Sequence, residues 1–218
     1  MAAPDPYERP HRPGGADADT PDDRRGAIRL AALRLFAGQG YRATTMADIG
    51  AAVGMRGPSL YKHVASKQEL LAEIMISTME RLIEASQEAT AGADDVREQL
   101  RRAVEAHVRY HARYGLEAFV GNREIGNLEQ PNRDRVLRRR GEYERGFRRL
   151  IERGLAKGVF DVRSARLASY SILDMGIGVA AWFREGGEFS ADQLAYQYGD
   201  LALRMVTATA PASRPSSG

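Results

Sequence analysis

The sequence predicts an all-α protein of about nine helices, and three observations favour this fold class. Seven of the nine prolines lie in the terminal stretches 1–23 and 209–218, so only Pro58 and Pro131 interrupt the body of the chain, and proline breaks helices. Apolar residues recur at helical spacing along that body. No stretch rich in Val, Ile and Thr alternates between polar and apolar residues, as a half-buried strand would.

The first three helices follow one another closely. Ile28 and Phe36 lie on one apolar face of the first helix, and Gly40 ends it. The spacing predicts a second helix over about 46–53 and a third over about 58–64. Two of the three predicted helices are therefore short.

Six further helices complete the predicted fold. A capping box of Ser66 and Glu69 opens the fourth helix, and a second box, of Ser190 and Gln193, opens the ninth. The predicted bounds of these six helices are about 67–91, 94–114, 116–127, 132–157, 164–185 and 191–208, with Pro131 preceding the fourth of them.

The net charge of +3 hides an uneven distribution along the 218 residues. Residues 1–23 carry two basic and six acidic groups, a net charge of −4, whereas 24–71 carry eight basic and two acidic groups, a net charge of +6. A concentrated basic segment is typical of nucleic-acid binding. The charge alone equally fits a small helical bundle with a solvated basic face.

The three helices within this basic segment, two of them short, have the proportions of a helix-turn-helix motif. Gly54 suits the tight turn between the second and third helices, Thr45 can cap the second, and Pro58 lies near the start of the third. The third helix then presents side chains that can hydrogen bond to base edges and phosphates. These side chains belong to Ser59, Tyr61, Lys62 and His63.

The segment from Ile28 to Leu71 resembles the TetR-type transcriptional regulators. The blocks that carry the resemblance are Leu35-Phe36, Gly40, Thr44 to Ile49, Val53-Gly54-Met55, Leu60 to His63 and Ser66 to Leu71. The resemblance implies phosphate contacts by Tyr61, His63, Lys67 and either Thr44 or Thr45. It implies that the start of the third helix enters the major groove, where Arg56, Gly57, Ser59 and Lys62, around Pro58, approach the bases.

Three positions depart from the family pattern. Arg56 stands where a Ser or Thr usually caps the third helix, Val64 replaces a usual Phe, and Gly50 replaces a common Ala. Because this cap is missing, the sequence does not define the residue at which the third helix starts.

The helix predicted at 164–185 is apolar nearly all round, so it has to be buried on more than one side. Burial within one subunit and contact with a second subunit both satisfy this requirement. The resemblance implies a homodimer that binds a palindromic operator. It also implies that the last two helices of each subunit form the dimer interface. The candidate interface residues are Tyr170, Ile177, Ala181, Trp182, Leu194, Tyr198, Leu201 and Met205.

Short blocks in the C-terminal two-thirds resemble the acyl-CoA-responsive members of the family, which control fatty-acid or sterol catabolism. They imply a small-molecule effector of the acyl-CoA class, whose binding releases a repressor from DNA. The candidate pocket residues are His107, His111, Phe119, Arg123, Tyr143, Phe147, Asp174 and Met175, with Arg138 to Arg140 as further candidates for the CoA phosphates. The alternatives are a drug or aromatic effector, a solvated face for the arginine run, and a structural arginine partner for Asp174.

Other functions find little support in the sequence. The chain has no cysteine, which excludes disulfides, thiol nucleophiles and Cys-ligated metals. His107 and His111 lack a third metal ligand at useful spacing, and the Gly176 to Ala181 dinucleotide-like pattern follows no predicted strand. We expect no enzyme activity, no metal, no cofactor, no membrane segment and a cytoplasmic location. A helical ligand-binding module that does not meet DNA is the alternative from another class.

The predicted organisation thus has four parts. They are a disordered acidic tail over 1–23, a helix-turn-helix DNA-binding domain over 24–70, a ligand-binding and dimerisation domain over 71–208, and a disordered tail over 209–218.

Overall fold

The computed structural model of the chain describes residues 21–207, and these residues form nine α-helices, one 3₁₀ helix and no strand. The predicted all-α fold is therefore confirmed for this part of the chain. Residues 1–20 and 208–218, which hold most of both predicted tails, lie outside the described residues. The helices are α1 (Pro21–Gln39), α2 (Met46–Ala52), α3 (Gly57–Leu60), α4 (Lys67–Thr90), α5 (Val96–Arg113), α6 (Gly115–Arg123), η1 (Ile125–Asn127), α7 (Asn132–Ala156), α8 (Ala165–Trp182) and α9 (Ala191–Thr207).

Several helices differ from their predicted bounds. Helix α1 begins at Pro21, so 21–23 belong to a helix and not to the predicted tail. Helix α3 ends at Leu60, and the backbone continues to Val64 as hydrogen-bonded turns, with the amides of His63 and Val64 both bonded to the Leu60 carbonyl. The predicted helix over 116–127 is divided into α6 and η1.

The described chain forms two compact units. The first contains the chain up to Glu80 together with 113–140, and its core is built around the fully buried Phe36, Ile49, Leu60 and Leu70. Each of these side chains contributes roughly 1.5–3 kcal/mol of hydrophobic free energy when it leaves water. The core therefore joins α1, α2, α3 and α4 into one body.

Hydrogen bonds tie the η1 segment to the same unit. The side-chain amide of Gln68 donates to the Asn127 carbonyl over 2.7 Å and accepts from the Glu129 amide over 3.1 Å. The Nε of Arg42, in the turn after α1, donates to Asn127 Oδ1 over 2.9 Å. Residues distant in sequence thus meet around Asn127.

The second unit contains 81–112 and the chain from 141 onward. Near the end of α7, Phe160 folds back against Gly154, and its ring occupies the space where a Cβ on Gly154 would lie. Gly146 lies two turns earlier on the same helix, and no heavy atom lies within 4 Å of the corresponding position there. The two glycines therefore have opposite requirements.

Replacing Gly154 with Ala should lower the free energy of unfolding by about 1–3 kcal/mol, because the Phe160 ring has to move. Replacing Gly146 with Ala should leave it unchanged or raise it by about 0.5–1 kcal/mol, because alanine favours a helix and the site is open. Urea denaturation followed by circular dichroism measures both variants. Equal effects of the two substitutions would contradict the packing described for Phe160.

Candidate nucleic-acid interface and effector site

Helix α2 begins with a reciprocal capping box. The Thr45 hydroxyl accepts a hydrogen bond from the Asp48 amide over 3.1 Å, and the Asp48 carboxylate accepts one from the Thr45 amide over 2.8 Å. The Thr45 amide, together with the Thr45 hydroxyl, which also donates to the Asp48 carboxylate over 2.8 Å, holds the pKa of the exposed Asp48 carboxyl below its ordinary value. The box defines where α2 starts.

Thr44 and Thr45 occupy different environments. Thr44 is fully buried, and its hydroxyl donates to the Gly40 carbonyl over 2.9 Å. Thr45 is exposed. Of these two candidate phosphate contacts, the structure therefore places only Thr45 on the surface.

The α3 region presents its polar side chains outward. Leu60 and Val64 are buried and four residues apart, so they anchor one side of this short segment in the core. His63 is half-buried beside them. The remaining candidates are all exposed: Arg56, Gly57, Pro58, Ser59, Tyr61 and Lys62.

Two of the three departures from the family pattern, Arg56 and Gly50, lie around the turn of the helix-turn-helix, together with Gly54. Arg56 occupies the N-cap position of α3 without a side-chain cap hydrogen bond, so its guanidinium stays exposed. A Cβ on Gly50 would lie 2.8 Å from the Met55 carbonyl oxygen, which explains why glycine replaces alanine there. Gly54 has a φ of +66°, a conformation that favours glycine at the turn.

Lys67 differs from the expected phosphate ligand. Its Nζ donates to the carbonyls of Tyr41 and Thr44 over 2.8 and 2.7 Å and lies 4.2 Å from the centre of the Tyr41 ring. An ammonium has three donors, so two are used inside the chain. Lys67 thus positions the 41–44 turn that precedes α2.

Four of the candidate pocket residues lie together in the second unit. His107, His111, Tyr143 and Phe147 are all buried, and the two histidine rings are 4.4 Å apart. The His107 Nε2 and the Leu173 carbonyl oxygen are 3.0 Å apart, as are Nδ1 and the Tyr143 hydroxyl. Because a carbonyl only accepts, Nε2 carries the proton and Nδ1 accepts from the tyrosine.

Burial governs the titration of this cluster. Desolvation lowers the pKa of His107 to about 4, although its hydrogen bond to the Leu173 carbonyl acts in the opposite direction. Desolvation also raises the pKa of the Tyr143 hydroxyl, with a smaller contribution from Tyr110. Both groups are therefore neutral near pH 7.

The other pocket candidates lie elsewhere. Asp174 is exposed on α8, which is not buried all round, so the expectation that it lines a pocket is wrong. Phe119 and Arg123 are exposed on α6 in the first unit, where the guanidinium lies 5.3 Å from the ring centre. Met175 is half-buried on α8.

Two of the three arginines in the run at 138–140 are used within the first unit. Arg139 pairs with Glu80 over 3.3 Å. Arg140 donates to the Gly121 carbonyl over 2.9 Å, and burial lowers its pKa. Only Arg138 is fully exposed, so the run does not form the phosphate cluster that the sequence suggested.

A groove that the sequence analysis missed lies between α4 and α7 in the second unit. It has a volume of about 490 Å³, within the range of small-molecule sites. Its lining includes Ile83, Gln87, Gly146, Arg149, Leu150 and Arg153. Its lining residues recur at helical spacing within 83–90 and within 142–156, and considering these two stretches together could have indicated the groove.

The predicted dimer residues divide into three groups by exposure. Tyr170, Ala181, Trp182 and Leu201 are exposed, and Ile177, Tyr198 and Met205 are half-buried. Leu194 is only 3% exposed, so it packs within its own subunit and is not an interface residue. Leu167, which was not a candidate, is 66% exposed on α8.

Two features are absent from the described residues. No helix among residues 21–207 has the length and hydrophobicity to cross a membrane. Nor does this part of the chain bring together three or more His, Asp or Glu side chains that could hold a metal ion.

Comparison with known proteins agrees with this architecture. Residues 28–74 match the model of the bacterial regulatory proteins of the tetR family, and 93–206 match the tetracyclin repressor-like C-terminal domain. The chain is 30% identical over 198 residues to the HTH-type transcriptional repressor KstR2 of Rhodococcus jostii, covering 88% of this chain and 95% of that protein.

Two solved structures share the fold. The ketosteroid transcriptional regulator KstR2 of Mycobacterium tuberculosis has a TM-score of 0.77 at 25% identity, covering 88% of this chain and 98% of that one. AibR, solved with isovaleryl coenzyme A and operator DNA, has a TM-score of 0.73 at 24% identity, covering 84% and 98%. At that identity AibR supports the fold alone.

The buried His107 should make stability depend on pH. Its pKa is about 4 when folded and about 6.5 when unfolded, so below pH 6.5 the unfolded chain binds a proton that the folded chain excludes. The contribution is fully present above pH 6.5 and is lost as the pH falls toward 4. Between pH 7.5 and 4.5 the loss is about 2.5 kcal/mol.

Urea denaturation of the wild type and of His107→Gln at both pH values isolates this contribution, because other groups titrate in both proteins. The wild type should lose about 2.5 kcal/mol more than the variant. Parallel losses in the two proteins would show that His107 titrates normally when folded.

Proposed function

Because the chain belongs to the TetR family of bacterial regulatory proteins, we propose that it is a transcriptional repressor that binds a palindromic operator as a homodimer. We propose further that an acyl-CoA effector releases it from DNA. The family is one of DNA-binding regulators and not of enzymes. The observation that carries the proposal is the exposed polar face of the α3 region.

That face supplies both classes of DNA contact. Arg56 and Lys62 are exposed cations, and arginine or lysine pairs well with a guanine edge in the major groove. Tyr61 is 56% exposed, and its hydroxyl can donate a hydrogen bond to a DNA phosphate. Lys67 contributes indirectly, because its ammonium donates hydrogen bonds to carbonyls of the 41–44 turn that precedes α2.

A second copy of the chain is the partner that the exposed face of α8 fits. Leu167, Tyr170 and Trp182 are 66%, 40% and 49% exposed on this helix, and Leu201 is 50% exposed on α9. Large exposed apolar residues on adjacent helices are typical of an interface. A two-fold dimer would present two α3 regions to the two halves of a palindrome.

The effector class rests on relatives and on the second unit. The related KstR2 proteins are repressors, and one is described as a ketosteroid transcriptional regulator. AibR, which is similar to this chain in fold, was solved with isovaleryl coenzyme A. The second unit of this chain contains a buried aromatic and histidine cluster and the α4–α7 groove, which suit an amphipathic ligand.

The proposed switch uses the continuity of α4. This helix begins at Lys67, beside the helix-turn-helix, and ends at Thr90 in the second unit. An effector that favours a different tilt of α4 would move the α3 regions away from the half-site spacing of roughly 34–36 Å. The effector needs only to bind that conformation better than the DNA-bound one.

Replacing Arg56 or Lys62 with Ala should each weaken specific DNA binding about tenfold, because each removes a base or phosphate contact worth about 1–3 kcal/mol. Mobility shift against the DNA flanking the protein's own gene, over a salt series, measures the loss. Arg163→Ala, an equally exposed arginine before α8, is the matched control. Equal losses in all three variants, or none, would contradict the proposed face.

Replacing Trp182 with Glu should convert a dimer into a monomer, because a charge would be buried without a partner. Tyr196→Glu is the control: Tyr196 is 62% exposed on α9 but lies toward Arg101, roughly 140° around the helix from Leu201. Sedimentation velocity at micromolar concentration distinguishes the species. A wild-type monomer, or a Trp182→Glu dimer, would rule out this interface.

A further inference from the structure

The groove between α4 and α7 has two chemically different walls. The α7 wall carries two arginines four residues apart, Arg149 and Arg153, which therefore lie on one side of that helix. The α4 wall carries only neutral polar groups, those of Ser86, Gln87 and Thr90. This division suits an elongated ligand with an anionic end.

Arg149 is available to a ligand. It is exposed, and among the described residues it forms no ion pair. Arg153 donates to the Gln99 side chain, a neutral acceptor that leaves its charge uncompensated. Two acidic residues, Glu142 and Glu152, also line the groove. Glu152 lies 3.8 Å from Arg148, and Glu142 lies seven residues before Arg149 in the sequence.

The rest of the lining offers space and neutral hydrogen bonds. Ile83, Leu150 and Ala156 are apolar, and Gly146 leaves the groove open, with no heavy atom near its missing Cβ. The Thr90 hydroxyl donates to the Ser86 carbonyl over 2.8 Å, so its oxygen still accepts. Amide groups of a ligand could therefore bond along the α4 wall without meeting a charge.

We propose that this groove binds the coenzyme A part of the effector. Arg149 and Arg153 bind its phosphates, for which the guanidinium fork is well suited, and the neutral wall receives its amide-bearing arm. The assignment rests on the proposed acyl-CoA effector and adds its site. It also places the ligand against α4, the helix that begins at Lys67 beside the DNA-binding face.

Titration calorimetry of the full chain with coenzyme A, palmitoyl-CoA and palmitate tests the assignment. Arg149→Gln and Arg153→Gln should each weaken coenzyme A and palmitoyl-CoA about tenfold, because each removes a charge-assisted hydrogen bond, and should leave any palmitate binding unchanged. Arg145→Gln, an exposed arginine one turn earlier that does not line the groove, is the control and should bind as the wild type does.

A second pair of variants tests the groove by volume. Gly146→Met should fill it and weaken palmitoyl-CoA at least tenfold, whereas Gly146→Ala should have little effect. Release of the operator complex by palmitoyl-CoA, followed by mobility shift, is measured alongside.

The two proposals fail in different ways. If palmitoyl-CoA releases DNA equally well from the wild type, Arg149→Gln and Gly146→Met, the effector stands and the groove is wrong. If coenzyme A binding depends on Arg149 but palmitoyl-CoA leaves the DNA complex intact, the groove stands and the effector role is wrong. If no coenzyme A compound binds the wild type, both are wrong.

Discussion

The helix-turn-helix depends on one half-buried cation. The Lys67 ammonium bonds to the carbonyls at both ends of the 41–44 turn, and charge-assisted hydrogen bonds are roughly twice as strong as neutral ones. Thr45, which follows this turn directly, then caps α2. The position of α2, and with it the α3 face packed through Leu60, therefore depends on the first residue of α4.

The η1 segment attaches to the same point from another direction. Gln68, next to Lys67 on α4, exchanges two hydrogen bonds with the backbone around Asn127, and Arg42 reaches the Asn127 side chain from the turn itself. The adjacent residue Glu69 pairs with Arg135 of α7 over 3.2 Å. The first three residues of α4 thus connect the DNA-binding helices to segments of the first unit that are more than fifty residues away.

Local periodicity was enough to predict the helices and the inward and outward sides of the α3 region, because Leu60 and Val64 are the only large apolar residues there. It could not predict that Thr44 is fully buried whereas its neighbour Thr45 is exposed. Asp174 misled because the apolar composition of α8 suggested burial on every side. Arg149 could not be distinguished from the arginines at 138–140 by local sequence, because pairing partners distant in sequence decide which arginines remain available.

Helix α8 joins the two functions proposed for the second unit. Leu173 and Gly176 lie on its inner side, where the Leu173 carbonyl accepts from His107 and the missing Cβ of Gly176 makes room for the same imidazole. Tyr170 and Trp182 lie on its outer side, at the proposed interface. Because a helix moves as a rigid body, a ligand that displaces His107 would shift the outer side as well. The spacing of the two DNA-binding faces could then respond to the effector through α8 as well as through α4.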